Sequence, residues 1–289
     1  MKTELFHIGG FEVHGYGFMI GIGFILAWIV GELRAKKMKM NADSILDLAI
    51  IAGVTGFLGA KLLYIIVEFK DFLADPMGVI GSSGFVVYGG IIIGTVCCGL
   101  YTRIKKLSFL EYFDLVMPEV ALAQGFGRIG CFLAGCCYGR PTDGVWGVVF
   151  PEGCYAPAGV KLIPTQLISS AGDFLNMAIL IFIASKFSYT VAKNRIKAGE
   201  DNVKHLYPGD IGCIYIFIYG IGRFLIEFLR NDYRGEIGIF STSQFISLIV
   251  VVFGIVVMVL TRKVVKLKTV EEIRSEECSN ESNEENSEE

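Results

Sequence analysis

The chain has 289 residues, 53% of them hydrophobic, with a mean hydropathy of +0.56 and a formal net charge of −3. That is too apolar for a water-soluble domain of this length, and the apolar residues come in blocks rather than in the alternation a membrane β-barrel needs. The negative charge comes from the C-terminus: residues 270–289 hold nine Glu and one Arg, and the remainder carries 25 basic and 20 acidic residues, a balance suited to anionic lipid head groups rather than to nucleic acid.

Residues 1–15 lack the charged region, apolar region and small-residue site of a cleavable leader. Seven blocks then approach the roughly 20 apolar residues of a spanning helix. They are residues 16–33, 45–67, 85–101, 115–137, 166–187, 210–229 and 244–260. Lys and Arg concentrate at 34–39, 103–106, 186–204 and after 262, whereas Lys70 stands alone between Glu68 and Phe85. Positive loops stay in the cytoplasm. The alternation therefore predicts an all-α, polytopic membrane protein with seven transmembrane helices, the N-terminus out and the C-terminus in. Residues 1–269 form this helical domain; residues 270–289, rich in Glu, Ser and Asn without aromatics, predict a disordered, solvating cytoplasmic tail.

Polar residues interrupt the blocks in four places. Tyr16, between Gly15 and Gly17, opens the first helix as an interfacial anchor or a cavity hydroxyl. Tyr88-Gly89-Gly90 in the third permits either close helix approach or local unwinding beside a cavity. In the fourth, Gln124 and Arg128 share a face at i,i+4, with Asp114, Pro118 and Glu119 toward the other end. Arg128 also opens a glycine-rich run that continues through Arg140, where a head group could approach the backbone. In the sixth, Arg223 and Glu227 are i,i+4 and Arg230 follows at i+3 from Glu227. A snorkelling Arg128 and a self-neutralised Arg223–Glu227 pair are the structural alternatives. Both helices run outward in the predicted topology, so Arg128 and Arg223 lie at comparable depth toward the outer leaflet. Two intramembrane arginines there predict a site for one phosphate-sized anion. A phosphate P-loop and a Gly-x-Ser-x-Gly nucleophile elbow are absent from the sequence. Cys131, Cys136 and Cys137 lack the CxxC spacing of zinc signatures, and adjacent cysteines do not readily share one ion, so no metal and no cofactor is expected.

These residues, in this order, resemble the prolipoprotein diacylglyceryl transferase family. The likeness runs through Tyr16-Gly17, Gly59-Ala60-Lys61, Tyr88-Gly89-Gly90, Gly127-Arg128-Ile129-Gly130 and Gly139-Arg140. It continues in residues 146–151, Pro164-Thr165-Gln166-Leu167, Tyr219-Gly220 with Arg223, and Glu227-Phe228-Leu229-Arg230. The resemblance implies a multi-pass enzyme of the bacterial cytoplasmic (inner) membrane. Such an enzyme moves the diacylglyceryl group of phosphatidylglycerol onto the lipobox cysteine of a prolipoprotein signal peptide, forming a thioether and releasing glycerol phosphate. By the same resemblance Arg128 binds the phospholipid, with Arg230, Gln124, Gly89 and Gly90 around it. Arg223, Glu227, Tyr88 and Tyr16 are the candidate catalytic residues. The chain departs from the family pattern at Tyr88, where the motif has His, at Cys131 and Ala134, where it has Asn, and at Cys136, where it has an acidic residue. A relative acting on another lipid or thiol acceptor, or a lipid-binding membrane protein without catalysis, also fits those departures.

Overall fold

The computed structural model describes residues 4–8, 11–231 and 235–275. In chain order its elements are β1 (Glu4–Ile8), β2 (Phe11–His14), α1 (Gly15–Lys37), α2 (Asp43–Val67), α3 (Phe69–Ala74), α4 (Pro76–Gly81), α5 (Val87–Ile104) and α6 (Phe109–Ala134). There follow β3 (Val148–Val149), β4 (Lys161–Leu162), α7 (Thr165–Phe187), α8 (Tyr189–Lys197), α9 (Asp210–Glu227), β5 (Glu236–Ile237), β6 (Phe240–Ser241) and α10 (Thr242–Val264). Each apolar block lies on a long helix: α1, α2, α5, α6, α7, α9 and α10. Among the described residues five helical stretches are long and apolar enough to cross a membrane: α1, α2, α5, α10 and the run Thr165–Lys197 that contains α7. The other two long helices are more polar. Glu111, Asp114, Glu119 and Arg128 lie on α6, and Asp210, Arg223 and Glu227 on α9. Among the described residues three antiparallel strand pairs occur: β1–β2 leads into α1, β3–β4 lies between α6 and α7, and β5–β6 between α9 and α10. The strands of β3–β4 and β5–β6, two residues each, are too short to leave a readable period-2 pattern in the sequence.

The chain divides into two compact units, Gly31–Tyr112 and the remainder. In the first, α2 and α5 cross backbone to backbone. A Cβ on Gly89 would collide with the Gly59 carbonyl oxygen, and one on Gly90 would lie 2.5 Å from that of Gly56. Because α5 runs unbroken through both glycines, they serve close helix approach and not local unwinding. The Lys61 ammonium is satisfied locally, donating to the carbonyls of Ser82 at 2.8 Å and Gly84 at 3.3 Å. It also lies over the Phe85 ring, 4.9 Å from its centroid.

The second unit packs around Ala121, Leu180, Ala184, Ile211 and Tyr215, contributed by α6, α7 and α9. Asp114 of α6 caps the start of α9: the backbone N–H groups of Gly209 and Gly212 donate to its carboxylate at 2.7 and 2.9 Å. These are two of the donors that a helix start leaves without an intrahelical partner. Asp210 in turn accepts from Arg262 of α10 at 2.8 Å. The entry to α10 is a capping box, with Ser241 and Gln244 each bonding the other's backbone.

The fourth apolar block extends to Cys137 in the sequence, but α6 stops at Ala134. Gly135 takes φ +73° and Cys137 φ +62°. The N–H of Gly135 bonds the Phe132 carbonyl and that of Cys136 the Cys131 carbonyl, at 3.2 and 3.1 Å. This is a Schellman ending, for which glycine is the favoured residue. Residues 270–275, the start of the expected acidic tail, form a helical turn. Ile273 is buried in it and Arg274 pairs with Asp201 at 2.9 Å. The rest of the tail lies outside the described residues.

Candidate active site

The site is organised by one buried carboxylate. One helical turn separates Arg223 from Glu227 on α9, and Nη1 of the arginine donates to Oε2 of the glutamate at 2.7 Å. Ser241 Oγ donates to the other carboxylate oxygen at 3.0 Å. Arg230 Nε, past the end of the helix, lies 3.8 Å from Oε2. The Glu227 and Arg230 side chains are only 7% and 5% exposed, so both charges are withdrawn from solvent and depend on one another. Arg223 is steadied from a second direction, its Nη2 donating to Ser243 Oγ at 2.8 Å. The hairpin β5–β6 makes this possible by returning the chain to lay Ser241 and Ser243 against α9.

Arg128 comes to the same place from α6. It lies within electrostatic reach of Arg223. Its own partners act through space: the Tyr219 phenol of α9, the Asp173 carboxylate of α7, and the thiols of Cys131 and Cys137. Among the described residues Arg128 forms no ion pair, so its planar fork of five N–H donors is open to a ligand. Three guanidiniums (Arg128, Arg223 and Arg230) thus face two carboxylates, Glu227 and Asp173. The local surplus is positive, which is the electrostatic requirement for holding a phosphate.

Gln124 is engaged with a neighbour: Tyr215 O–H donates to its Oε1 at 2.7 Å. The Tyr215 ring stacks on that of Tyr219, 5.9 Å between centroids. Tyr16, at the start of α1, is 45% exposed and interacts electrostatically with Arg128 and with Cys131, Cys136 and Cys137. The structure therefore gathers Arg128, Arg223, Arg230, Glu227, Gln124 and Tyr16 in one unit. Tyr88, Gly89 and Gly90 belong to the other; there Tyr88 is exposed on α5 and both glycines are occupied by the α2 crossing.

Three participants were not foreseen. Asp173 had a sequence signal, being the lone carboxylate inside the fifth apolar block. Ser241 and Ser243 had none, since only the β5–β6 turn brings them back to Glu227 and Arg223. The three cysteines also behave differently from the spacing argument. Their Sγ atoms lie within 4.8 Å of one another, because the chain reverses at Gly135.

A family model described as prolipoprotein diacylglyceryl transferase matches residues 3–260. The phosphatidylglycerol--prolipoprotein diacylglyceryl transferase of Clostridium tetani (strain Massachusetts / E88) is 43% identical over 264 residues, covering 91% of this chain and 98% of the relative. A protein of Clostridium perfringens (strain 13 / Type A), named phosphatidylglycerol--prolipoprotein diacylglyceryl transferase 2, is 43% identical over 257 residues, covering 88% and 93%. The enzyme of that name from Finegoldia magna is 33% identical over 266 residues, covering 91% and 97%.

Proposed function

The chain belongs to the prolipoprotein diacylglyceryl transferase family, and from that membership we propose that it moves the diacylglyceryl group of phosphatidylglycerol onto the lipobox cysteine of a prolipoprotein. The observation that carries this reading to particular residues is the convergence of Arg128 and Arg223, from separate helices, with Glu227 holding Arg223 in place. In the reaction the cysteine sulfur attacks the glycerol carbon that bears the phosphate. A C–S bond forms, the C–O bond breaks, and its electron pair leaves on the phosphate oxygen of glycerol phosphate. Arg128 and Arg223 grip the phosphate and offset the charge that grows on it, with Arg230 adding to the field. Tyr16 is assigned to the same site on its motif position and its interaction with Arg128. Gln124 fixes the Arg128 face through Tyr215, and Gly89 and Gly90 are assigned to phospholipid binding on their motif positions. Tyr88 is assigned to the thiol proton on its motif position. A phenol has an ordinary pKa near 10 and needs a nearby cation to act as a base, while a thiol already ionises slightly at neutral pH and demands less of one.

We assign α1, α2, α5, α6, α7, α9 and α10 as seven spans of the bacterial cytoplasmic membrane, N-terminus out and C-terminus in. The support is the alternation of basic loops. Of the charges on α6 and α9, Arg128, Arg223 and Glu227 belong to the site, Asp114 caps the start of α9 and Asp210 pairs with Arg262. Residues 1–269 make up the transferase domain and the acidic residues that follow make up a cytoplasmic tail.

The test is in vitro transfer. Purified protein is incubated with phosphatidylglycerol and a lipobox peptide, and the thioether product is followed by mass spectrometry. Wild type yields product and Arg128→Ala does not. Wild-type protein that binds phosphatidylglycerol without forming product would overturn this reading in favour of another acceptor or a lipid-binding role.

A further inference from the structure

The cysteines beside the arginines have a geometry that the transfer reaction does not use. Cys131 occupies the last turn of α6, and the Schellman ending folds Cys136 back over it, the Cys136 thiol lying 3.7 Å from the Cys131 carbonyl oxygen. Cys137 takes the left-handed conformation, φ +62°. The loop is held in this shape from α7. Thr165 Oγ1 donates to the Cys137 carbonyl and Gln166 Nε2 to the Cys136 carbonyl, both at 2.7 Å. Cys131 is buried, Cys136 and Cys137 are half-buried, and none of the three is in a disulfide.

We propose that Cys131, Cys136 and Cys137 form a three-thiolate site for a thiophilic d10 metal cation of the zinc class. A zinc–sulfur bond of about 2.3 Å places coordinated sulfurs about 3.8–4.0 Å apart, whether the ion is tetrahedral or trigonal. The three Sγ atoms already lie within 4.8 Å of one another. Closure therefore requires side-chain movements of roughly 1 Å or less, with the backbone pinned by Thr165 and Gln166. The alternative is three cysteines packed as small hydrophobes, and the surrounding charge argues against it. Arg128 acts on Cys131 and Cys137, and Arg230 hydrogen-bonds Cys137. A divalent ion held by three thiolates retains one negative charge, which these arginines would balance. Binding exchanges the thiol protons for the ion, so it strengthens as pH rises. The site shares Arg128 and Arg230 with the transferase reading, but its test reads metal binding alone and so stands or falls whether or not the chain transfers lipid.

The test uses the full chain, reduced and detergent-purified under anaerobic conditions, and titrated with cadmium alone. A thiolate-to-cadmium charge-transfer band saturating at one ion per chain is expected. Cys131→Ser and Cys137→Ser should each weaken binding more than about 100-fold, because losing an outer-shell partner alone costs about 10–100-fold. A variant with Cys97, Cys98 and Cys213 all replaced by Ser should titrate like wild type. A second measurement guards against misfolded variants: cadmium-loaded wild type is alkylated and mapped by mass spectrometry. Selective protection of Cys131, Cys136 and Cys137 supports the site. Absence of a band, a band unchanged in Cys131→Ser with Cys137→Ser, or labelling of these thiols undiminished by cadmium would overturn it.

Discussion

Replacing Glu227 by Gln keeps the shape of the site and removes the one charge that organises it. In the wild type the carboxylate accepts from Arg223 Nη1 at 2.7 Å and from Ser241 at 3.0 Å, with Arg230 Nε 3.8 Å away. The amide retains one acceptor oxygen but turns N–H donors toward groups that are themselves donors. Two unit charges about 4 Å apart attract by about 4 kcal/mol at an effective dielectric of 20, and residual hydration and the surviving acceptor recover part of that. We expect a net loss of about 2.7 kcal/mol in the positioning of Arg223, which is about 100-fold in rate if Arg223 meets the leaving phosphate in the transition state. The assay is the phosphatidylglycerol-to-peptide transfer, with kcat and KM measured separately in protein that remains monodisperse. The fall should appear in kcat. Ser243→Ala, which removes only the 2.8 Å bond to Nη2, should cost roughly tenfold, in line with hydrogen bonds to charged groups. A monodisperse Glu227→Gln enzyme within about threefold of wild type would refute the idea that Glu227 positions Arg223.

Tyr88→Phe should slow transfer by about 100-fold if the phenol handles the thiol proton, and an unchanged rate removes it from the mechanism; Tyr88→His should raise activity above wild type. Gly89→Ala should destabilise the α2–α5 crossing by about 1–3 kcal/mol, seen as a lower melting temperature in detergent, because the added methyl meets the Gly59 carbonyl. Asp114→Ala should cost about 3 kcal/mol and speed amide hydrogen exchange at Gly209 and Gly212, whose N–H groups lose their acceptor; unaltered exchange there would show that the cap contributes little.

Local chemistry was legible in the sequence wherever one element carried it. The helices follow from runs of apolar residues, each long enough to span or nearly so, and Arg223–Glu227 follows from i,i+4 spacing on a single helix. Arg128 stood out because a guanidinium in an apolar block is costly without a purpose. Gly135 marked a helix end that the apolar pattern overran, since Cys136 and Cys137 count as apolar while the backbone has already reversed. Asp173 is the lone acid of its apolar block, and its place beside Arg128 depends on how α7 packs. What depended on chain return was not visible. Ser241 and Ser243 reach Glu227 and Arg223 only through the β5–β6 hairpin. The Tyr215 partner of Gln124 sits on another helix, and the three thiols meet only because a left-handed turn cancels their separation along the chain. Sequence by itself determined which long apolar segments are helical and where much of the charge is buried, because hydropathy and helical period act over a few residues. Tertiary structure alone decided which charges share a site, because that depends on contacts between residues distant in sequence, and no local propensity encodes them.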